Sequence, residues 1–288
     1  MPAVSTRRGR LGAPRPGKAV HRPAARLGRA RPGWMALSIG AAVGVLGGMI
    51  GLGGAEFRLP LLIGVFGFVA LQAVILNKAI SLLVVVTAIP ARLPAVSYAE
   101  VSSQWHVIVT LLCGSLAGAW LGATWATRMR SATLSKVLAL LLVAVAAAIA
   151  GTHTGSLQYL SLSTPVQTTV GVAAGVVIGA VAALMGVAGG ELLIPTIVLL
   201  YAVDIKIAGS LSLAVSLPTM IVAVTRYSRD KSFVVLRAYR GFLLSMAAGS
   251  VIGTVAGGLL VGVVPAGILI LTLVLLLLAS AFQVWTTS

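Results

Sequence analysis

The chain has 288 residues, of which 59% are hydrophobic and 9% charged, and its mean hydropathy is +1.07. Soluble globular domains carry about 25% charged residues, so this composition excludes that class and indicates an integral membrane protein. The formal charge of +16 and the single cysteine, Cys113, add that the chain is short of acids and can form no intrachain disulfide. Cys113 lies in an apolar run and reads as a small packing residue.

In chain order, residues 1–33 come first and are expected to be a disordered basic cytoplasmic tail. They hold Arg7, Arg8, Arg10, Arg15, Lys18, Arg22, Arg26, Arg29 and Arg31 and no acid, with too little apolar mass to fold. Attraction to anionic lipid and enforcement of topology are the expected roles of such a tail, and no nucleic-acid partner is expected. A hydrocarbon core needs about 20 apolar residues per helix, which the run Trp34 to Leu52 supplies. Its Gly40, Gly44 and Gly48 recur every four residues, a face that lets membrane helices approach closely. The run then meets Gly51, Gly53 and Gly54, followed by Glu56 and Pro60. Glycine releases the backbone from the helix and proline suits a first helical turn, so one helix ends and another begins here. The next run, Arg58 to Phe68, is short. Leu71 to Ile89 is interrupted only by Asn77 and Lys78, a loop spans Pro90 to Gln104, and Trp105 to Thr127 carries the face Gly114, Gly118 and Gly122. A basic turn at 128–136 leads to a helix from Val137 to Ala150.

Residues 151–165 form an uncharged linker closed by Pro165, after which the pattern repeats 135 residues on. Gly186, Gly189, Gly190, Glu191 and Pro195 form a second break. Gly40 pairs with Gly175, Gly44 with Gly179, Ser81 with Ser216, Ser115 with Ser250 and Gly122 with Gly257 at the same offset. One offset serving from residue 40 to residue 257 marks an internal duplication. The expected domains are therefore a first transmembrane repeat over 34–150 and a second over 166–286. The second repeat reads as helices over Val166 to Met185, Leu192 to Val203, Ile205 to Val224, Gly241 to Val261 and Leu269 to Trp285, with a basic loop from Arg226 to Arg240.

Cytoplasmic loops favour Lys and Arg. The segments 1–33, 128–136 and 226–240 are basic, whereas 151–165 and 262–267 contain no Asp, Glu, Lys or Arg. All three basic segments fall inside and both uncharged ones outside if each broken pair returns to its starting side. Each repeat then crosses an odd net number of times, which predicts inverted repeats with both termini cytoplasmic and a span count between eight and ten. The expected fold class is an all-α, multi-pass helical bundle in the cell membrane.

Only five acids exist, Glu56, Glu100, Glu191, Asp204 and Asp230, and two of them occupy equivalent positions of the two breaks. Ionisable residues at membrane depth are costly and usually functional. Matched broken helices are also where secondary transporters bind their ions and substrates. Two readings of the glutamates stand side by side. They could cap the half-helices that follow, or they could carry a proton beside an anion held by backbone N–H groups. Asn77 and Lys78 align with Ser212 and Leu213, so polar groups recur inside apolar helices. Lys78 reads either as a substrate-facing cation or as a side chain reaching for the interface, and Arg58 as interfacial. The candidate substrate-binding residues are thus Gly51, Gly53, Gly54, Glu56, Pro60, Asn77, Lys78, Gly186, Gly189, Gly190, Glu191, Pro195 and Ser212. The scattered His21, His106 and His153 suggest no metal set or catalytic triad, and no Walker loop is present, so no enzyme activity and no cofactor is expected.

The duplicated element G-x-G-G-x-E-x-x-x-P, with a small residue or glycine at its glycine positions, and the glycine-rich third helix of each half resemble the TauE/SafE sulfite exporter family over residues 34–286. The resemblance implies a carrier of two homologous halves that moves small anions such as sulfite, sulfonates or organic acids across a membrane. A non-transporting membrane scaffold or accessory subunit is the alternative, but a scaffold has no need of two matched helix breaks at membrane depth. Oligomeric state is not encoded in these patterns.

Overall fold

The computed structural model describes residues 33–50, 54–92, 98–153 and 163–259, with scattered residues from 271 to 286. The basic tail, Gly51 and Gly53, most of the linker and most of the expected last helix lie outside the described residues. Every extended element described is helical. In order these are α1 (Gly33–Ile50), α2 (Ala55–Gly64), α3 (Ala70–Arg92), α4 (Tyr98–Ser103), α5 (Trp105–Arg128) and α6 (Ser131–His153). There follow α7 (Thr164–Met185), α8 (Gly190–Tyr201), α9 (Ile205–Tyr227), a 3-10 turn (Lys231–Phe233), α10 (Val234–Ala238) and α11 (Arg240–Leu259). The protein is an all-α, multi-pass membrane protein. Among the described residues, five helices, α3, α5, α7, α9 and α11, are long and apolar enough to cross a bilayer. Shorter apolar helices lie at Gly33–Gly48, Ser131–Ala144 and Gly190–Tyr201.

The element pattern repeats with the sequence: α1 and α7, α2 and α8, α3 and α9, and α5 and α11 start or end at positions 135 apart. Two expectations about connections change. The basic turn at 128–136 is mostly the first turns of α6, and the expected loops 90–104 and 226–240 contain α4 and α10. Polar and basic residues at these ends do not stop a helix, because the ends of spans reach water.

Glycine faces decide which helices meet. A Cβ added at Gly40, Gly44 or Gly48 of α1 would strike the backbone at Met246, Ser250 or Thr254 of α11. One added at Gly114, Gly118 or Gly122 of α5 would strike Val172, Val176 or Ala180 of α7. In both pairs residue numbers rise together, so the partners run parallel. The first helix of each repeat therefore packs on the third long helix of the other, and the halves interlock. Such contact has to come from small side chains, since lipid tails provide no hydrophobic drive for helix association. Large apolar side chains line the outer surface instead, among them Trp34, Leu140, Val177 and Ile252. Cys113 also lies on an exposed face of α5 rather than in the packing expected of it.

At the breaks, Gly54 precedes α2 with φ of 70°, and Gly186 closes α7 with φ of 71°. Gly189 precedes α8 with φ of 87°. These are left-handed conformations that a side chain resists, and a Cβ at Gly54 or Gly186 would also strike the carbonyl of Val43 or Val74. Pro60 and Pro195 do not sit in first turns as expected. Each is the sixth residue of its helix, because the positive-φ glycines start α2 and α8 one turn earlier than proline would. Lacking an N–H, each proline leaves the carbonyl four residues before it, that of Glu56 or Glu191, without its helical bond.

Candidate functional site

Helix α7 ends inside the protein, where the N–H groups of Gly186 and Val187 turn back onto the Ala183 and Ala182 carbonyls and the remaining acceptor capacity of the helix end must find other donors. Side chains of α3 and α9 supply them. Lys78 Nζ donates to the carbonyls of Ala182 at 2.9 Å and Val187 at 2.5 Å. Asn77 Nδ2 donates to the Met185 carbonyl at 3.3 Å and, on the other side, to that of Ala55 at 2.9 Å. Ser81 Oγ reaches the Gly186 carbonyl at 3.5 Å, and the Tyr227 hydroxyl donates to that of Ala183 at 2.8 Å. A cation at a helix C-terminus is also favoured by the helix dipole. Lys78 is 1% exposed, so it does not reach for an interface.

Arg58 overturns its sequence reading. It is fully buried, the largest of the buried side chains, and not interfacial. Its Nε donates to Asn77 Oδ1 at 3.3 Å and its Nη2 to Ser81 Oγ at 2.9 Å, while Nη1 has no hydrogen-bond partner. Glu56 and Glu191 are also buried and near enough for their charges to act on one another. The Arg58 charge acts on both carboxyls and the Lys78 charge on Glu191. Glu56 does not cap its helix, since neither of its oxygens has a hydrogen-bond partner, and Oε1 of Glu191 has none either.

The arrangement is thus two acids and two cations at the meeting point of both breaks, with the Lys78 ammonium hydrogen-bonded and Arg58 Nη1 and three carboxyl oxygens open. Burying a charge costs several kcal/mol unless it is paired and hydrogen-bonded. Buried donor and acceptor atoms left unmet call for a partner, which a small polar species or a proton would supply.

Of the sequence candidates, Gly54, Glu56, Pro60, Asn77 and Lys78 come together with Gly186, Gly189, Gly190 and Glu191. Gly51 and Gly53 lie outside the described residues. Ser212 stands near Gly190, whose added Cβ would be 3.9 Å from its Oγ, but its hydroxyl bonds back to Gly209 within α9. Pro195 is only partly buried. Arg58 and Ser81 join this cluster beyond the residues that the sequence singles out; the recurrence of Ser81 as Ser216 is the sequence signal for the one, and for Arg58 the signal is its place two residues after Glu56, inside an apolar half-helix.

Among known proteins, no curated protein and no solved structure matches the chain. The family model described as sulfite exporter TauE/SafE matches residues 4–149 and 160–288, taking in most of the tail as well as both repeats. A match over nearly the whole length, in two parts divided where the uncharged linker divides the repeats, means that the chain belongs to the TauE/SafE sulfite exporter family, a family of membrane transporters.

Proposed function

We propose that the protein is a secondary carrier in the cell membrane that exports small anions such as sulfite, sulfonates or organic acids, with proton movement linked through Glu56 and Glu191. The observation that carries this reading is that two buried carboxyls, three of whose oxygens lack a hydrogen-bond partner, interact electrostatically with an Arg58 whose Nη1 is also without one. An anion engages the guanidinium, and the adjoining carboxyls oppose it while they are charged. Protonation removes that opposition, so binding of the anion and uptake of a proton favour each other. Lys78 and Asn77 act by holding the end of α7 in place, and the half-helix starts at Gly54 and Gly189 present backbone N–H groups.

The same reading takes 34–150 and 166–286 as inverted repeats with cytoplasmic termini. Its support is the sequence pattern of three basic segments alternating with two connections free of Asp, Glu, Lys and Arg, which fall on opposite sides if each repeat crosses an odd number of times. Impermeant labelling of single cysteines at Thr154 and Ser131, with Cys113 replaced, tests it: label at 154 from outside and protection at 131 is expected, and the reverse overturns inversion. Transport is tested in proteoliposomes with a panel of sulfite, a small sulfonate, sulfate and acetate. Saturable movement of at least one of them, lost in Arg58→Gln, is expected. No movement of any, or movement indifferent to Arg58, would contradict the proposal.

A further inference from the structure

A second set of cations lies away from the break site, where the C-terminal ends of α5 and α9 meet. Arg226 Nε donates to Thr124 Oγ1 at 2.8 Å and its Nη2 to Thr127 Oγ1 at 3.5 Å. Its guanidinium stands 5.8 Å from the centre of the Trp120 ring, and that of Arg229 stands 5.3 Å from the same ring. One exposed indole thus carries two guanidinium groups. Among the described residues neither has a carboxylate partner. The nearest acid in sequence, Asp230, accepts the N–H of Ser232 through Oδ1 at 2.7 Å. Like charges brought together repel, so two arginines sharing a ring without an acid leave an electrostatic demand for an anion.

The surroundings narrow the kind of anion. Trp120 is 39% and Trp125 54% exposed, and tryptophan prefers the membrane–water boundary, where one side meets headgroups and the other acyl chains. Leu121 and Ile221, both exposed, continue the same two helices as an apolar surface. Cationic groups fixed at a wet end beside an apolar face match a ligand with a phosphate and hydrocarbon chains. Arg226 is held by two threonines and the ring, so little ordering cost remains to be met on binding, and planar guanidinium groups suit phosphate oxygens.

We propose that Arg226, Arg229 and Trp120 form a seat for the phosphate of an anionic phospholipid headgroup at the C-terminal ends of α5 and α9. The site is independent of the transport reading. It is tested on the full-length protein in non-ionic detergent by native mass spectrometry and thermal melting, with phosphatidylglycerol and phosphatidylcholine of identical chains. Wild type is expected to retain phosphatidylglycerol in preference and to melt at a higher temperature in its presence. Arg226→Gln with Arg229→Gln should weaken phosphatidylglycerol binding about 30-fold, roughly fivefold per cation at a membrane surface. Arg237→Gln with Arg240→Gln, an equal loss of charge outside the seat, should change it less than about threefold on the same scale. Trp120→Leu keeps both charges and should still weaken binding, which covers the case of a double variant that does not fold. Equal retention of the two lipids by wild type, equal loss in both double variants, or displacement of the lipid by inorganic phosphate would overturn the proposal, the last by assigning the seat to soluble anions.

Discussion

The two breaks of this protein share a backbone and differ in side chains. Gly54 and Gly189 both turn left-handed before a half-helix with a glutamate in its first turn and proline as its sixth residue. Around them, repeat 1 carries Arg58, Asn77 and Lys78 where repeat 2 has Leu193, Ser212 and Leu213. Arg58 bonds to Asn77 and Ser81 within repeat 1, while Asn77, Lys78 and Ser81 bond to carbonyls at and just past the end of α7 in repeat 2. Ser212 bonds within its own helix, and Ser216 has no partner. Duplication preserved the shape that requires glycine, while the charge gathered in one half and serves the break of the other. A symmetric frame with an asymmetric charge distribution fits the proposed reading of one shared site better than two equivalent ones.

The largest test of that comparison is at the glycines. Gly54→Val meets both a left-handed φ and the Val43 carbonyl, and should cost about 4 kcal/mol in unfolding free energy measured in mixed micelles. Gly189→Val meets the same φ penalty but only the Ala182 Cβ, at 3.0 Å, and should cost about 2 kcal/mol. Equal costs would mean that the two breaks are packed alike. Lys78→Met removes both ammonium bonds at the α7 end and leaves the Val187 carbonyl without that donor, while the Ala182 carbonyl keeps the Val187 N–H, for about 2 kcal/mol. A loss well under about 1 kcal/mol would show that the α7 end is held by other groups. The finest comparison sets Ser81→Ala against Ser216→Ala, equivalent positions of the two repeats. The first should cost about 1 kcal/mol through the lost bond to Arg58, the second close to nothing. A reversed order would place the working hydroxyl in repeat 2.

Much of this frame was legible beforehand because it depends on local chemistry. The 135-residue offset, the helix breaks and the small-residue faces are properties of segments, and α1, α5, α7 and α11 appear close to where the apolar runs put them. What the faces meet was not legible. That Gly40, Gly44 and Gly48 lie on α11 depends on packing between residues some 200 apart in sequence, and a small-residue stripe is silent about its partner. The same limit explains Arg58 and Lys78. A cation in an apolar run is ordinarily accommodated at an interface, and only the fold brings the carbonyls at the end of α7 to Lys78 and the carboxyls of both repeats to Arg58. The prolines were misplaced by a turn because their tolerance in a first turn was weighed, whereas the positive-φ glycines set the start of each helix.

The central claim is that Glu56 and Glu191 carry the proton for an anion held at Arg58, and it is tested most directly by transport under an imposed pH gradient. Proteoliposomes containing wild type, Glu56→Gln, Glu191→Gln or both are compared for movement of whichever of sulfite, sulfonate, sulfate or acetate the wild type moves. Glutamine keeps the shape and hydrogen-bonding capacity of the side chain and removes its titration. The account predicts that exchange without a gradient persists while acceleration by the gradient disappears in the double variant and weakens in each single one. If the double variant responds to the gradient as wild type does, the carboxyls do not carry the proton and the coupling lies elsewhere, with Lys78 the next residue to test.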